Sequence, residues 1–332
     1  MSIIAESRQA MRSKPQELCP LCQHRGIPLY DGMHDRLFGA AGKWSLSKCA
    51  NGNCGLLWMN PMPLTEDLWL AYETYFTHDT AQESKIRKIC LCLYNAFNSL
   101  AGIATGLSRH KKEMDSLFLG SCKTGTLLDV GCGDGRFLHQ MHLRGWCVDG
   151  VEIDSKAVAV AREKYKLNVK QGDLQDARFP SDSFDAITLR HVIEHLPQPV
   201  ETLKECKRIL KPGGQLVVVT PNTESWGHSL FGRHWLGLDQ PRHLMIFSPS
   251  SIAICAQMAG FENFQISTSP ANAETVFSVS FSLQRRVTHD MNLGKRPELW
   301  RALKAVFYQH WESLKLKQLP YIGEELVLVA VK

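Results

Sequence analysis

Three glycines at alternate positions, Gly131, Gly133 and Gly135, close an apolar run that begins Leu127-Leu-Asp-Val130. Residues without a Cβ are needed where a strand reverses sharply into a helix, and where a ligand comes close to the main chain. The spacing predicts a nucleotide-binding turn. It departs from the dinucleotide fingerprint, because Arg136 stands where that loop wants Gly or Ala. Glu152 falls 17 residues after Gly135, at the end of a second strand-like run, where its carboxylate can accept both ribose hydroxyls. An acid there suits a cofactor without a 2′-phosphate. Asp173 ends a short strand from Asn168 and can accept a hydrogen bond from an adenine amino group.

Four cysteines stand at metal-ligand spacing. Cys19-Pro-Leu-Cys22 and Cys49-Ala-Asn-Gly-Asn-Cys54 form two knuckles separated by 26 residues. Such a pair can set four thiolates tetrahedrally around a structural zinc, with His24 as an alternative ligand. A domain of this size buries little core, so the metal would supply most of its folding free energy. The remaining cysteines, in a chain whose first residues lack a secretory signal, are expected to be reduced thiols, and the location cytoplasmic.

The elements that position these residues alternate. After the glycine loop come strands over 146–153, 168–173 and 184–189, a helix from Pro199 to Leu210 closed by Lys211-Pro-Gly-Gly214, and a strand over 216–220. This alternation predicts an α/β fold, a doubly wound and mostly parallel sheet with ligands at the strand C-termini.

The segments LLDVGCGDG (127–135), GVEID (150–154), GD (172–173), FDAI…HVIEHL (184–196) and LKPGGQLVVVTPN (210–222) together resemble the class I S-adenosylmethionine-dependent methyltransferases, over residues 124–332. The resemblance implies a seven-stranded Rossmann-like sheet ending in an antiparallel hairpin, for which 261–267 and 325–331 offer the strands. It implies that Asp129, Gly131, Gly133 and Gly135 cradle the methionine moiety of S-adenosylmethionine. Glu152 would take the ribose, with Ile153 as a further cofactor-binding residue, Asp173 and the Leu174 backbone would take adenine, and Arg190 and His191 would lie near the sulfonium and substrate, Arg190 counted among the cofactor-binding residues. Some relatives carry a cysteine-rich front end, usually with two residues inside the second knuckle, where this chain has four.

The expected organisation is a small zinc-ribbon-like module over 1–62, a helical linker or cover over 63–123, and the methyltransferase domain over 124–332, with a lid at 221–247 and a helical insertion at 271–318. Thr65 opens the cover with a helix cap. The stretch 89–108 has no charged residue and is flanked by basic ones. Its Asn, Ser, Gly and Thr residues disfavour a membrane span and favour a buried cover, with peripheral membrane contact as the alternative. The net charge of +5 is diffuse, without the concentrated basic stripe of a nucleic-acid binder. Oligomeric state is not legible.

The segment from Pro221 to Phe247 follows the fifth strand and mixes aromatics, histidines and arginines with glycines, as a closing lid does. His243 is the first choice for a general base, since an unperturbed imidazole with a pKa of about 6.5 can take a hydroxyl proton at neutral pH. A purely structural histidine is the alternative. His191 is a second catalytic candidate, and His228, His234 and Arg242 follow. His191-Val-Ile-Glu-His195 also spells the string of inverted zinc peptidases. That chemistry requires both histidines on one helix face, which the preceding strand and Pro197 and Pro199 deny.

The function expected is methyl transfer to a hydroxyl of a small or lipid-linked molecule. Carbon methylation of a sugar nucleotide, or a noncatalytic cofactor-binding scaffold, is the alternative. A nicotinamide oxidoreductase is disfavoured by Arg136 and the C-terminal strands.

Overall fold

The computed structural model describes residues 11–72, 101–285 and 299–332. In the N-terminal part, β1 (Gly26–Met33), β2 (Trp44–Cys49) and β3 (Leu57–Met59) form an antiparallel sheet. Helix α1 (Leu107–Asp115) leads into β4 (Thr126–Val130), α2 (Arg136–Leu143), β5 (Cys147–Glu152), α3 (Ser155–Tyr165), β6 (Asn168–Gln171), β7 (Phe184–Arg190), α4 (Pro199–Ile209) and β8 (Leu210–Pro221). Then follow α5 (Trp226–Phe231), β9 (Met245–Ile246), α6 (Pro249–Met258), β10 (Asn263–Ser269), α7 (Ala273–Arg285), α8 (Leu299–Lys315) and β11 (Glu325–Val331).

The main sheet runs β10-β11-β8-β7-β4-β5-β6, and β11 alone is antiparallel to its neighbours. This is the doubly wound, seven-stranded, mostly parallel fold that the sequence predicts. Strand alternation builds two cores. On β8, Val217 and Val219 face Leu138, Met141, Val158 and Ala161. Leu216 and Val218 face the side carrying Leu203, Ile252 and Ala256. Both faces of the central strands are therefore apolar, as parallel strands require. The helices end where local chemistry stops them. Asp154 caps α3 by accepting from the Lys156 N–H at 2.9 Å. Ser248 and Ser251 form a reciprocal capping box on α6, with Pro249 at its first position. Lys211 to Gly214 interrupts the pairing of β8 with β7 rather than preceding the strand, so β8 begins earlier than the expected 216.

Several expectations are corrected. Thr65 lies inside a short 3-10 helix (Thr65–Ala71) that has no side-chain cap. Most of the uncharged stretch 89–108, with the last residues of the expected 65–76 helix, falls outside the described residues. Among the described residues no helix is long and apolar enough to cross a membrane.

Residues 221–247, expected to act as a lid, are packed as a wall in this structure. Most of 235–248 is buried, and β9 pairs with β3, extending the N-terminal sheet to β9-β3-β2-β1. The fixing contact is Arg242, wholly removed from solvent. Its guanidinium donates to Asp35 at 2.8 and 3.1 Å and to Asp239 at 2.6 and 3.0 Å. Burial opposes its charge, yet Asp239 and Asp35 raise its pKa. Removing one member of such a buried cluster strands the others. Arg242→Ala is expected to lower the unfolding free energy by about 3–5 kcal/mol. The urea midpoint should fall at unchanged slope; a midpoint equal to the parent's would show that the cluster carries no stability.

Candidate active site and metal centre

The sheet's carboxyl edge assembles the predicted residues. Gly131, Gly133 and Gly135 all have positive φ, of 71°, 55° and 79°. A Cβ at Gly131 would stand 2.4 Å from Val192, and one at Gly135 would stand 2.7 Å from Leu167. These two glycines let the loop pack down. A Cβ at Gly133 meets nothing within 4 Å, so this glycine faces open space. Its N–H donates to Glu152 Oε2 at 2.8 Å, while Glu152 Oε1 accepts from the Asp154 N–H at 2.9 Å. The acid at the end of β5 thus holds the glycine loop and its own turn, and each oxygen keeps a further lone pair for a ligand.

Asp129 is buried on β4 and accepts from the Thr188 hydroxyl at 2.5 Å. Burial lifts its carboxyl to about 7, against the opposing effects of Thr188 and Arg190. A cation at this edge would restore its charge. Ile153 is 76% exposed beside Glu152, an apolar surface at the rim. Asp173 caps the next turn by accepting from the Asp176 N–H at 2.7 Å. Leu174 buries its side chain in the core, leaving only its backbone for a ligand. Arg190 ends β7 as an exposed side chain.

The histidines separate into different roles. His191 has a positive φ of 54° and presents Nδ1 to Glu194 Oε1 at 3.3 Å and Nε2 to Glu325 Oε1 at 2.9 Å. Loss of solvent disfavours its charge, but the two carboxylates raise its pKa, to about 10. Its side chain remains 40% exposed, so water screens part of that effect. With both nitrogens donating, His191 has no lone pair with which to act as a base. His228 is also structural: its Nδ1 meets the Thr223 carbonyl at 2.6 Å and its Nε2 meets the Tyr30 hydroxyl at 3.0 Å.

His243 is different. Its Nδ1 donates to the Gly237 carbonyl at 2.8 Å, which turns Nε2 toward Asp239 Oδ2 at 3.9 Å. The His195 ring lies edge-on to it, with centroids 4.7 Å apart. His195 in turn directs Nδ1 to the Arg242 carbonyl at 3.0 Å. Burial, and then the neighbouring His243, lower the His195 pKa to about 4. Glu194 is fully buried between them, with Oε2 accepting from Thr220 at 2.9 Å. Ligand atoms of Glu194, His195 and His243 lie within 4.8 Å of one another. Ile193–His195 is a 3-10 turn, so the HxxEH string has no continuous helix. Glu325 and Asn272, which donates to it at 2.8 Å, were not read from sequence. The signal was the pair Glu324-Glu325 heading an otherwise apolar strand.

The cysteines converge as their spacing predicts. Cys19 and Cys54 sulfurs lie 3.8 Å apart, and Cys22 and Cys49 lie 3.3 Å apart. Tetrahedral zinc with Zn–S of about 2.3 Å separates its sulfurs by about 3.8 Å. Hydrogen bonding from Cys54 lowers Cys19 to about 5, whereas burial and the neighbouring sulfurs raise Cys49 to about 11. Once one thiol has ionised the next resists, a conflict that a divalent cation removes. His24 instead turns Nδ1 to the Cys22 carbonyl at 3.0 Å and lies outside the four-sulfur group. The knuckle is also tied to the main domain, since Ser248 Oγ donates to the Cys54 carbonyl at 2.6 Å.

Residues 108–266 match the family model of a methyltransferase domain. The chain is similar to the ubiquinone biosynthesis O-methyltransferase of Dechloromonas aromatica (strain RCB), 30% identical over 148 residues, covering 41% of this chain and 64% of that protein. The protein of the same name from Idiomarina loihiensis is 30% identical over 152 residues, covering 42% and 63%. The chain thus spans less than two thirds of the length of these relatives. A solved phosphoethanolamine N-methyltransferase 2 from Haemonchus contortus aligns at 16% identity and a TM-score of 0.48, covering 88% of this chain and 70% of that one.

Elemental analysis of purified protein is expected to return about one zinc per chain, and Cys22→Ser to reduce both zinc content and melting temperature. Metal-free protein of undiminished stability would dismiss the centre.

Proposed function

We propose, from the match of residues 108–266 to the family model of a methyltransferase domain, that this chain is an S-adenosylmethionine-dependent enzyme that methylates a hydroxyl of a small or lipid-linked molecule. The observation that carries the reading is the open face at Gly133, bounded by Glu152 and by the buried Asp129. A Cβ there would occupy the cradle. When bound, the cofactor supplies a methyl group already activated on a sulfonium.

What remains for the protein is to bind, orient and manage one proton. Glu152 offers its remaining lone pairs to two ribose hydroxyls. Ile153 covers the adenine rim and Asp173 accepts from its amino group. Asp129, held near neutral pH between its two protonation states, becomes fully charged against a cation. His243 takes the acceptor's hydroxyl proton on Nε2, because its Nδ1–H is committed to the Gly237 carbonyl. Asp239, 3.9 Å from Nε2, then faces the imidazolium so formed. His191 fixes Glu194 and Glu325 and takes no proton. Cys19, Cys22, Cys49 and Cys54 hold zinc that folds the N-terminal sheet against this wall. The names of the curated relatives, O-methyltransferases acting in ubiquinone biosynthesis, support a hydroxyl acceptor.

S-adenosylhomocysteine is expected to raise the melting temperature and NAD to leave it unchanged; stabilisation by NAD alone would reverse the assignment. Glu152→Ala should weaken S-adenosylhomocysteine by about tenfold or more, measured by calorimetry. His243→Ala should depress kcat by about 10²–10⁴-fold while cofactor affinity holds, and undiminished turnover would remove it as the base.

A further inference from the structure

A cavity of about 430 Å³ lies between the N-terminal sheet and the 221–247 wall. That volume falls within the range of about 300–1,000 Å³ found for small-molecule sites. Its lining includes Arg36, from the loop after β1, and Arg233 and His234, from the turn after α5. The two arginines come from segments about two hundred residues apart in sequence, so the tertiary fold has brought like charges together. Neither forms a salt bridge among the described residues. Arg36 donates to His234 Nδ1 at 2.8 Å, which keeps that ring as a neutral acceptor on this side. Arg233 donates to the Asp31 carbonyl at 2.8 Å, a bond that does not neutralise its charge. Burial, then the charge of Arg233, lowers the Arg36 pKa. The two acids of the lining, Asp35 and Asp239, both turn onto Arg242.

We propose that this cavity binds the phosphate or diphosphate group of a soluble small molecule, gripped by Arg36 and Arg233. Guanidinium forks match phosphate oxygens in pairs, and the repulsion between a half-buried Arg36 and an exposed Arg233 is relieved by an anion of more than one charge. Asp239 lines the cavity and also lies 3.9 Å from His243. The cavity and the histidine pair therefore share Asp239. On the reading of this chain as a methyltransferase, the anchored molecule is the methyl acceptor; the anion site itself does not require that reading.

The test is calorimetric titration of the zinc-loaded full chain with inorganic pyrophosphate, in 150 mM sodium chloride. The parent is expected to bind, with Arg36→Gln and Arg233→Gln each weakening the complex about tenfold or more. S-adenosylhomocysteine affinity in both variants should stay within about twofold, which also shows that they fold. No heat with the parent at millimolar pyrophosphate, or equal affinity in the double variant, would overturn the proposal. Sedimentation with phosphatidylcholine vesicles containing phosphatidic acid, but no binding of pyrophosphate, would assign the arginines to a lipid headgroup and overturn it as well. Binding of pyrophosphate without binding of S-adenosylhomocysteine would leave this site standing and remove the methyltransferase reading.

Discussion

The guanidinium of Arg242 is the contact on which the arrangement of this molecule turns. It is out of solvent between Asp35, from the loop that joins β1 to β2, and Asp239, from the wall that follows β8. A charge so placed is stable only with both carboxylates in position, so the N-terminal part and the wall are fixed relative to each other. The same side chain's backbone carbonyl orients His195, and its partner Asp239 faces His243. One ion cluster thus sets both the junction between two parts of the chain and the direction of two imidazoles.

A second connection runs through the backbone. The Leu244 N–H donates to the Glu194 carbonyl at 2.8 Å, and the Leu244 carbonyl accepts from the Met59 N–H at 3.0 Å. Main-chain bonds therefore link the sheet beside the cysteine knuckles to the turn that carries Glu194. Glu194 itself accepts from His191 on one oxygen and from Thr220 on the other. Buried polar groups satisfied in this way rigidify a site, and here they adjoin His195 and His243, each with Nδ1 committed to a backbone carbonyl.

Much of this was legible in the residues. Apolar alternation and glycine spacing fixed the order of the strands and the loop at Gly131 to Gly135, because these follow from local sterics. The cysteine knuckles were legible for the same reason, since a four-sulfur centre has its own spacing. The packing of residues 221–247 was not legible in their composition. Their glycines and aromatics describe mobility only if nothing covers them, and what covers them is a sheet nearly two hundred residues earlier. Composition carries no record of that partner. The two carboxylates that face His191 were not legible either, because they come from Glu194, three residues on, and Glu325, at the far end of the chain. A general base is recognised by its free lone pair, and that is a property of tertiary neighbours.

Strand β9 supplies the outer edge of the N-terminal sheet although it belongs to the chain's second half. A fragment ending near residue 62 would close its sulfur centre and still leave Leu57–Met59 with a bare row of amides and carbonyls. Such a border recruits strands from other molecules. The front module is in this sense an unfinished sheet, completed late in synthesis, and fragments cut away from its donor strand should self-associate.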